Sequence, residues 1–145
     1  MGIPGSLPLL NKSAVEKATL IAMALDCKTP NRIAFFRKNY FYPDLPKNFQ
    51  ITQLNAYGNT SIGWEGKISV ENKAIKIRRI QLEEDPGRLI YQGVTEKTKL
   101  TLVDYNRAGT PLVEIVTEPD FETPHQVREF LNILSDLLEN LNVSD

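Results

Sequence analysis

The chain holds one cysteine, Cys27, and one histidine, His125. A lone cysteine excludes an internal disulfide framework and an all-cysteine zinc site, and it fits a reducing compartment. His125 has no second histidine to pair with, and no Ser-His-Asp set or glycine-rich P-loop is present. No apolar run approaches the roughly 20 residues that span a bilayer, and no basic segment leads into an apolar one as in a secretory signal. Neither sign of charge dominates: the net charge is −1 and the isoelectric point about 5.9. That balance excludes the usual basic nucleic-acid binder, so on RNA most phosphate contacts come from elsewhere. There is no repeat and no low-complexity tract.

What is present is 145 residues, 41% hydrophobic and 24% charged, the make-up of one soluble globular domain with a real core. Met1–Gly5 opens in turn chemistry and Val143–Asp145 follows directly on a helix, which reads as a fragment cut at both ends. Asn11 or Ser13 caps a first helix, with Ser13 and Glu16 at capping-box spacing. Val15, Ala18, Ala22 and Leu25 continue it to about Asp26, and Pro30 stops it. Residues 31–50 show no period, and Pro43 and Pro46 make this a stiff loop. Short strands follow at Ile62–Trp64 and Ile68–Val70, then a turn at Glu71-Asn72-Lys73 into a long strand, Ala74–Glu84. Its alternation slips at Arg78-Arg79, which predicts a bulge. Leu100–Tyr105 and Leu112–Val116 are further strands.

The last helix is the plainest element. Thr123 caps it, Pro124 takes the first position, and Gln126 stands three residues past the cap. Val127, Phe130, Leu131, Leu134, Leu137, Leu138 and Leu141 form an apolar stripe that must lie on a sheet. The fold class is therefore α+β, a mainly antiparallel sheet with helices on one face.

Four segments carry chemistry. Glu83-Glu84-Asp85 ends a strand with three carboxylates, suited to a hard cation such as Mg2+, or forms a solvated acidic turn. Glu114 sits in the apolar run Leu112–Val116, where burial requires a cation, a metal, or an ion pair with Arg107 or Arg79. The Arg37–Lys47 loop, including Tyr40, offers cations for phosphate or carboxylate and aromatics that stack or anchor. Asp104–Gly109, with Asn106, places polar groups at a strand end or makes a plain turn. His125 and Cys27 read as helix-end residues.

Together these segments resemble the B subunit family of the tRNA-dependent amidotransferases. The resemblance rests on Gly2-x-Pro4-Gly5-x-Leu7-Pro8, Arg37–Lys47, Leu82–Asp85, Val103–Gly109 and Pro111–Asp120, in that order along the chain. It implies a glutamine-synthetase-like catalytic fold, present in part, that uses ATP and Mg2+. The side-chain carboxylate of a misacylated Glu-tRNA(Gln) or Asp-tRNA(Asn) is phosphorylated, and ammonia from a partner amidase (A) subunit displaces phosphate; a small C subunit completes the complex. Carried over by position, Glu84 and Glu114 are Mg2+ ligands. Lys38 lies near Glu84 at the mouth of the ammonia channel, and Arg79 and Arg107 bind phosphate or carboxylate. Glu83, Asp85, Tyr40, Lys47 and Asn106 are lesser candidates. Strand alternation alone puts Glu83, not Glu84, opposite the core face.

The chain departs from the family at Gln81, Pro86 and Arg88, where histidine, alanine and lysine are usual. It reads as residues 1–145 of a partial catalytic domain, without the family's opening strand and its tRNA-binding tail. The resemblance implies a cytoplasmic or organelle-matrix enzyme; a non-catalytic interaction fragment of the same complex is the alternative. A carboxylate-dependent metal nuclease is a third reading, disfavoured by the acidic isoelectric point.

Overall fold

In the computed structural model, residues 9–53, 58–91 and 100–144 are described. The Gly2–Pro8 stretch, the opening turn and Asp145 lie outside them. The first helix, α1 (Lys12–Ala24), is capped by Asn11, whose side chain accepts from the Ala14 N–H at 3.2 Å. The Ser13/Glu16 capping box does not form: Ser13 is already inside the helix, and Glu16 pairs instead with Lys12 one turn back, at 3.5 Å. Ala18, Ala22 and Leu25 are buried, as the spacing requires; Val15 is only partly buried, and Ile21 joins the buried face.

The segment expected to be a loop contains two strands. β1 (Phe36–Asn39) and β2 (Phe49–Thr52) pair antiparallel, and the two prolines sit in the connection between them. Four-residue strands carrying charged and aromatic side chains leave too short a pattern to show alternation. β3 (Gly63–Val70) is one continuous strand where two short ones were expected. It turns at Glu71-Asn72, with Glu71 in the left-handed region at φ 52°, into β4 (Lys73–Glu84). β5 (Arg88–Tyr91), which the sequence did not reveal, pairs with β6 (Thr101–Asp104). Strand β7 (Pro111–Thr117) follows, then helix α2 (Pro124–Asn140).

The central sheet is antiparallel, ordered β3-β4-β7. Its inner face gives Ile68, Val70, Ile75, Ile77, Ile80 and Leu82 to a core closed by α1 and α2, so the fold is α+β with both helices on one side. The α2 cap is as expected: Thr123 Oγ1 accepts from the Gln126 N–H, and the Gln126 side chain reaches back to the Glu122 N–H. Phe130 is 5% exposed and meets Phe121 edge-on at 5.2 Å. Two residues of the expected stripe, Val127 and Leu131, face out, and Ile133 takes part in the packing instead.

The predicted slip in β4 is a bulge. Ile77 pairs with Thr117 and Arg79 with Val116, so Arg78 is an extra residue. The bulge lets Ile77 and Ile80 both point into the core while Arg78 and Arg79 both border a cavity on the opposite, outer face. Past the end of β3, β2 lies beside β4 and bonds to both Glu83 and Glu84. Gln53, 1% exposed, satisfies the backbone there: its Oε1 accepts from Leu82 N–H at 3.0 Å and Ile62 N–H at 3.2 Å, and its Nε2 donates to the Thr60 carbonyl.

Candidate functional site

Past the bulge, strict alternation resumes, and it decides which acidic side chains meet. Gln81 lies directly across from Glu114, and Glu83 follows Gln81 by two, so all three share the outer face. Glu84 is turned the other way, with Leu82. A cavity of about 390 Å³ opens on the outer face, lined by Lys38 from β1, Thr52 and Gln53 at the end of β2, Arg79, Gln81 and Glu83 from β4, and Glu114 from β7. Four strands thus contribute to one concavity.

Each charged group there is oriented. Glu83 accepts from Thr52 Oγ1 at 2.6 Å and from Gln50 Nε2 at 3.2 Å. Arg79 donates from Nε to Gln81 Oε1 at 3.0 Å and brings a terminal nitrogen to 3.9 Å from Glu114. Gln81 is held in turn by donating to the Gln53 backbone carbonyl. Burial pushes the Glu114 carboxyl above the usual carboxylate range, and the neighbouring Glu83 charge adds to the rise, while Arg79 and Lys38 oppose it. The Tyr40 hydroxyl is also raised, first by burial and then by Asp44 and Glu83. Tyr40 therefore stands within electrostatic reach of Glu83, with Lys38 5.9 Å above its ring.

A family model described as the GatB/GatE catalytic domain matches residues 1–145. The chain belongs to this family. It is 51% identical to a protein of Methanospirillum hungatei and 47% identical to one of Saccharolobus solfataricus, each named as the B subunit of an aspartyl/glutamyl-tRNA(Asn/Gln) amidotransferase. Both likenesses cover 100% of this chain and 31% of the relative. A Haloquadratum walsbyi protein of the same name is 51% identical, again over the whole chain and 29% of the relative. The chain thus spans a little under a third of the length of these relatives.

Within this GatB/GatE-family domain, several expected placements are corrected. The expected pairing of Glu84 with Glu114 is not what the fold assembles; Glu83 takes that place, because alternation sends consecutive side chains to opposite faces. Glu84, 21% exposed, accepts from Lys47 and from the Ile51 N–H at 3.0 Å. Lys38 faces Glu83 and Glu114 rather than Glu84. Glu114 is less buried than its apolar run suggested, its side chain 43% exposed, because β7 lies at the sheet margin with the cavity on its outer side. Arg107 is drawn off to Asp85 at 2.6 Å, an ion pair fastening one loop to another outside the cavity. Asn106 donates its N–H to Asp104 Oδ1 in a local turn. Arg37 and Lys47 both rest on the Phe49 ring, at 4.6 and 4.9 Å, so aromatic anchoring accounts for much of that loop.

Thr52 and Gln53 were not legible as site residues, since nothing local in Ile51-Thr52-Gln53 signals that β2 lies beside β4. Among the described residues no three His, Cys, Asp or Glu side chains gather as a metal-binding group. Two carboxylates do converge, and Mg2+ commonly takes only one or two from protein. The residues present fit such an ion.

The raised Glu114 carboxyl has a consequence for stability. The folded chain holds this proton more tightly than the unfolded chain, so its contribution is complete below the ordinary carboxylate value. It is lost as pH rises through the raised value. Relative to the parent, Glu114→Gln is expected to gain in thermal midpoint between pH 4 and pH 8. A constant difference across that range would show that Glu114 titrates normally.

Proposed function

We propose that this chain is the phosphoryl-transfer part of a tRNA-dependent amidotransferase, in its B subunit. In this reading the domain adopts the glutamine-synthetase-like catalytic fold and works in the cytoplasm or an organelle matrix. Its substrates are ATP and a Glu-tRNA(Gln) or Asp-tRNA(Asn), and its partners are an amidase (A) subunit that supplies ammonia and a small C subunit. The observation that carries the proposal is the convergence of Glu83 and Glu114 with Lys38 and Arg79 in one cavity of a GatB/GatE-family domain.

A carboxylate is a poor electrophile, so amidation needs a leaving group. An oxygen of the substrate carboxylate attacks the γ-phosphorus of ATP, the bond to ADP breaks, and an acyl phosphate forms. Ammonia then adds at the acyl carbon, phosphate departs, and a proton is lost from nitrogen. Glu83 and Glu114 would hold Mg2+, which when bound neutralises charge on the phosphoryl oxygens.

The chain's own groups do the rest. Arg79, fixed through Nε by Gln81 and with one terminal nitrogen 3.9 Å from Glu114, presents its guanidinium to an anionic oxygen. Lys38, at the cavity wall, orients the incoming ammonia, and the departing phosphate carries away the proton that the nitrogen sheds. The test is the full-length protein with its amidase partner, misacylated tRNA and ATP. One ADP and one phosphate are expected per amide formed, with both absent when Mg2+ is chelated. Amide formation without ATP turnover would overturn the reading.

A further inference from the structure

Arg79 shares its cavity with Glu114 but does not close on it: the nearest terminal nitrogen stops 3.9 Å from the carboxylate, outside hydrogen-bond distance. Arg78 and Arg107, by contrast, close on Glu118 and Asp85 at 2.7 and 2.6 Å. A guanidinium this near a carboxylate gains a charge-assisted, forked contact by closing, so Arg79 is being held back. The restraint is Gln81. Its Oε1 accepts from Arg79 Nε at 3.0 Å, which constrains where the rest of the planar fork points. The amide cannot swing, because it is 6% exposed and its Nε2 donates to the Gln53 backbone carbonyl. Gln53 is anchored in turn by its own side chain, bonded to the Leu82 and Ile62 N–H groups and to the Thr60 carbonyl. An amide suits this place: it accepts from a guanidinium and donates to a carbonyl at once, and it carries no charge. Gln81 is also the direct cross-strand partner of Glu114, and the remaining charged groups of the cavity are Lys38 on β1 and Glu83 on β4.

We infer that Gln81 is a positioning residue that holds Arg79 off Glu114, so that the guanidinium stays open to an anionic oxygen and Glu114 to a divalent cation. The inference rests on the phosphoryl-transfer reading above and deepens it by naming what keeps the opposite charges of the site from cancelling. Without the amide, Arg79 swings onto Glu114. A single ion pair then occupies both the anion-binding group and one of the two cation ligands.

The test is calorimetric titration of Mg2+ alone, without ATP or tRNA, into the full-length protein and its variants, with the thermal midpoint of each recorded. Gln81→Leu is expected to weaken Mg2+ binding about tenfold, the lower end for losing a contact behind a metal ligand. Gln81→Asn keeps the place polar but is one methylene too short to reach both partners, so the same shift is expected from it. Arg79→Gln should bind Mg2+ no more weakly than the parent, and adding Gln81→Leu to it should cost nothing further, because no guanidinium is left to close on Glu114. A merely structural role would weaken Mg2+ equally with and without Arg79, and that result would overturn the inference. So would unchanged Mg2+ affinity in both Gln81 variants beside a parent that binds the ion, with the phosphoryl-transfer reading left standing. A parent that binds no Mg2+ would overturn both.

Discussion

On the phosphoryl-transfer reading proposed above, replacing Glu83 by glutamine in the full-length protein, assembled with an amidase subunit, is expected to lower the phosphorylation rate at least about 100-fold. A bound cation supplies several kcal/mol of charge stabilisation, and each 1.4 kcal/mol is tenfold in rate. Glu114→Gln is expected to do the same, since the two carboxylates act as a unit. Thr52→Val removes the hydroxyl that holds Glu83 Oε1 and should cost about tenfold through weaker cation binding. Glu84→Gln should behave differently. It leaves Lys47 without its counter-charge in a partly buried pair, so the loss is one of stability, about 1–3 kcal/mol, with the rate per folded molecule near the parent's. Initial rates of ADP release and thermal midpoints measured on all four variants separate these effects. If Glu84→Gln abolished phosphorylation and Glu83→Gln did not, the outer-face cavity would not be the phosphoryl-transfer site.

The contrast between these adjacent carboxylates also shows what the sequence could and could not convey. Features set by neighbouring residues were legible. The α2 start was written in Thr123, Pro124 and Gln126, whose hydrogen bonds close within four residues. The β4 bulge was visible because Ile75 and Ile77, then Ile80 and Leu82, mark the same face on either side of a slipped phase. That same alternation pointed to Glu83 as the outer-face residue, and the fold follows it. Features set by distant pairing were not legible. Lys38 reaches the cavity only because β1 pairs with β2, and Thr52 and Gln53 reach it only because β2 lies beside β4. Both strands are too short for a period to emerge. Arg107 and Glu114 stand seven residues apart in sequence, yet the turn at 105–110 gives the first to Asp85 and the second to Arg79.

The site also depends on how closely β3 is held against the end of α1, and Gly66→Ala tests that contact. A Cβ at position 66 would collide with Cys27 Sγ and stand 2.6 Å from the Leu25 carbonyl oxygen. The sulfur sits on a side chain, but the carbonyl is backbone and is fixed by accepting from the Lys67 N–H at 2.9 Å. No rotamer change relieves that contact, so β3 must move away from α1 or Leu25 must give up its hydrogen bond. The expected cost is about 3 kcal/mol, the upper end for adding one methyl to a packed interior, against a typical total of roughly 5–15 kcal/mol. Because Gly66 and Trp64 belong to the same strand, the shift should also alter Trp64 emission in the folded state. Cys27→Ala in the same chain should recover only part of the loss, since it removes the sulfur and leaves the carbonyl. A double-mutant cycle by chemical denaturation measures that recovery directly. Full recovery would mean that the sulfur alone blocks the space. No loss at all in Gly66→Ala would mean that β3 and α1 stand farther apart than this packing requires.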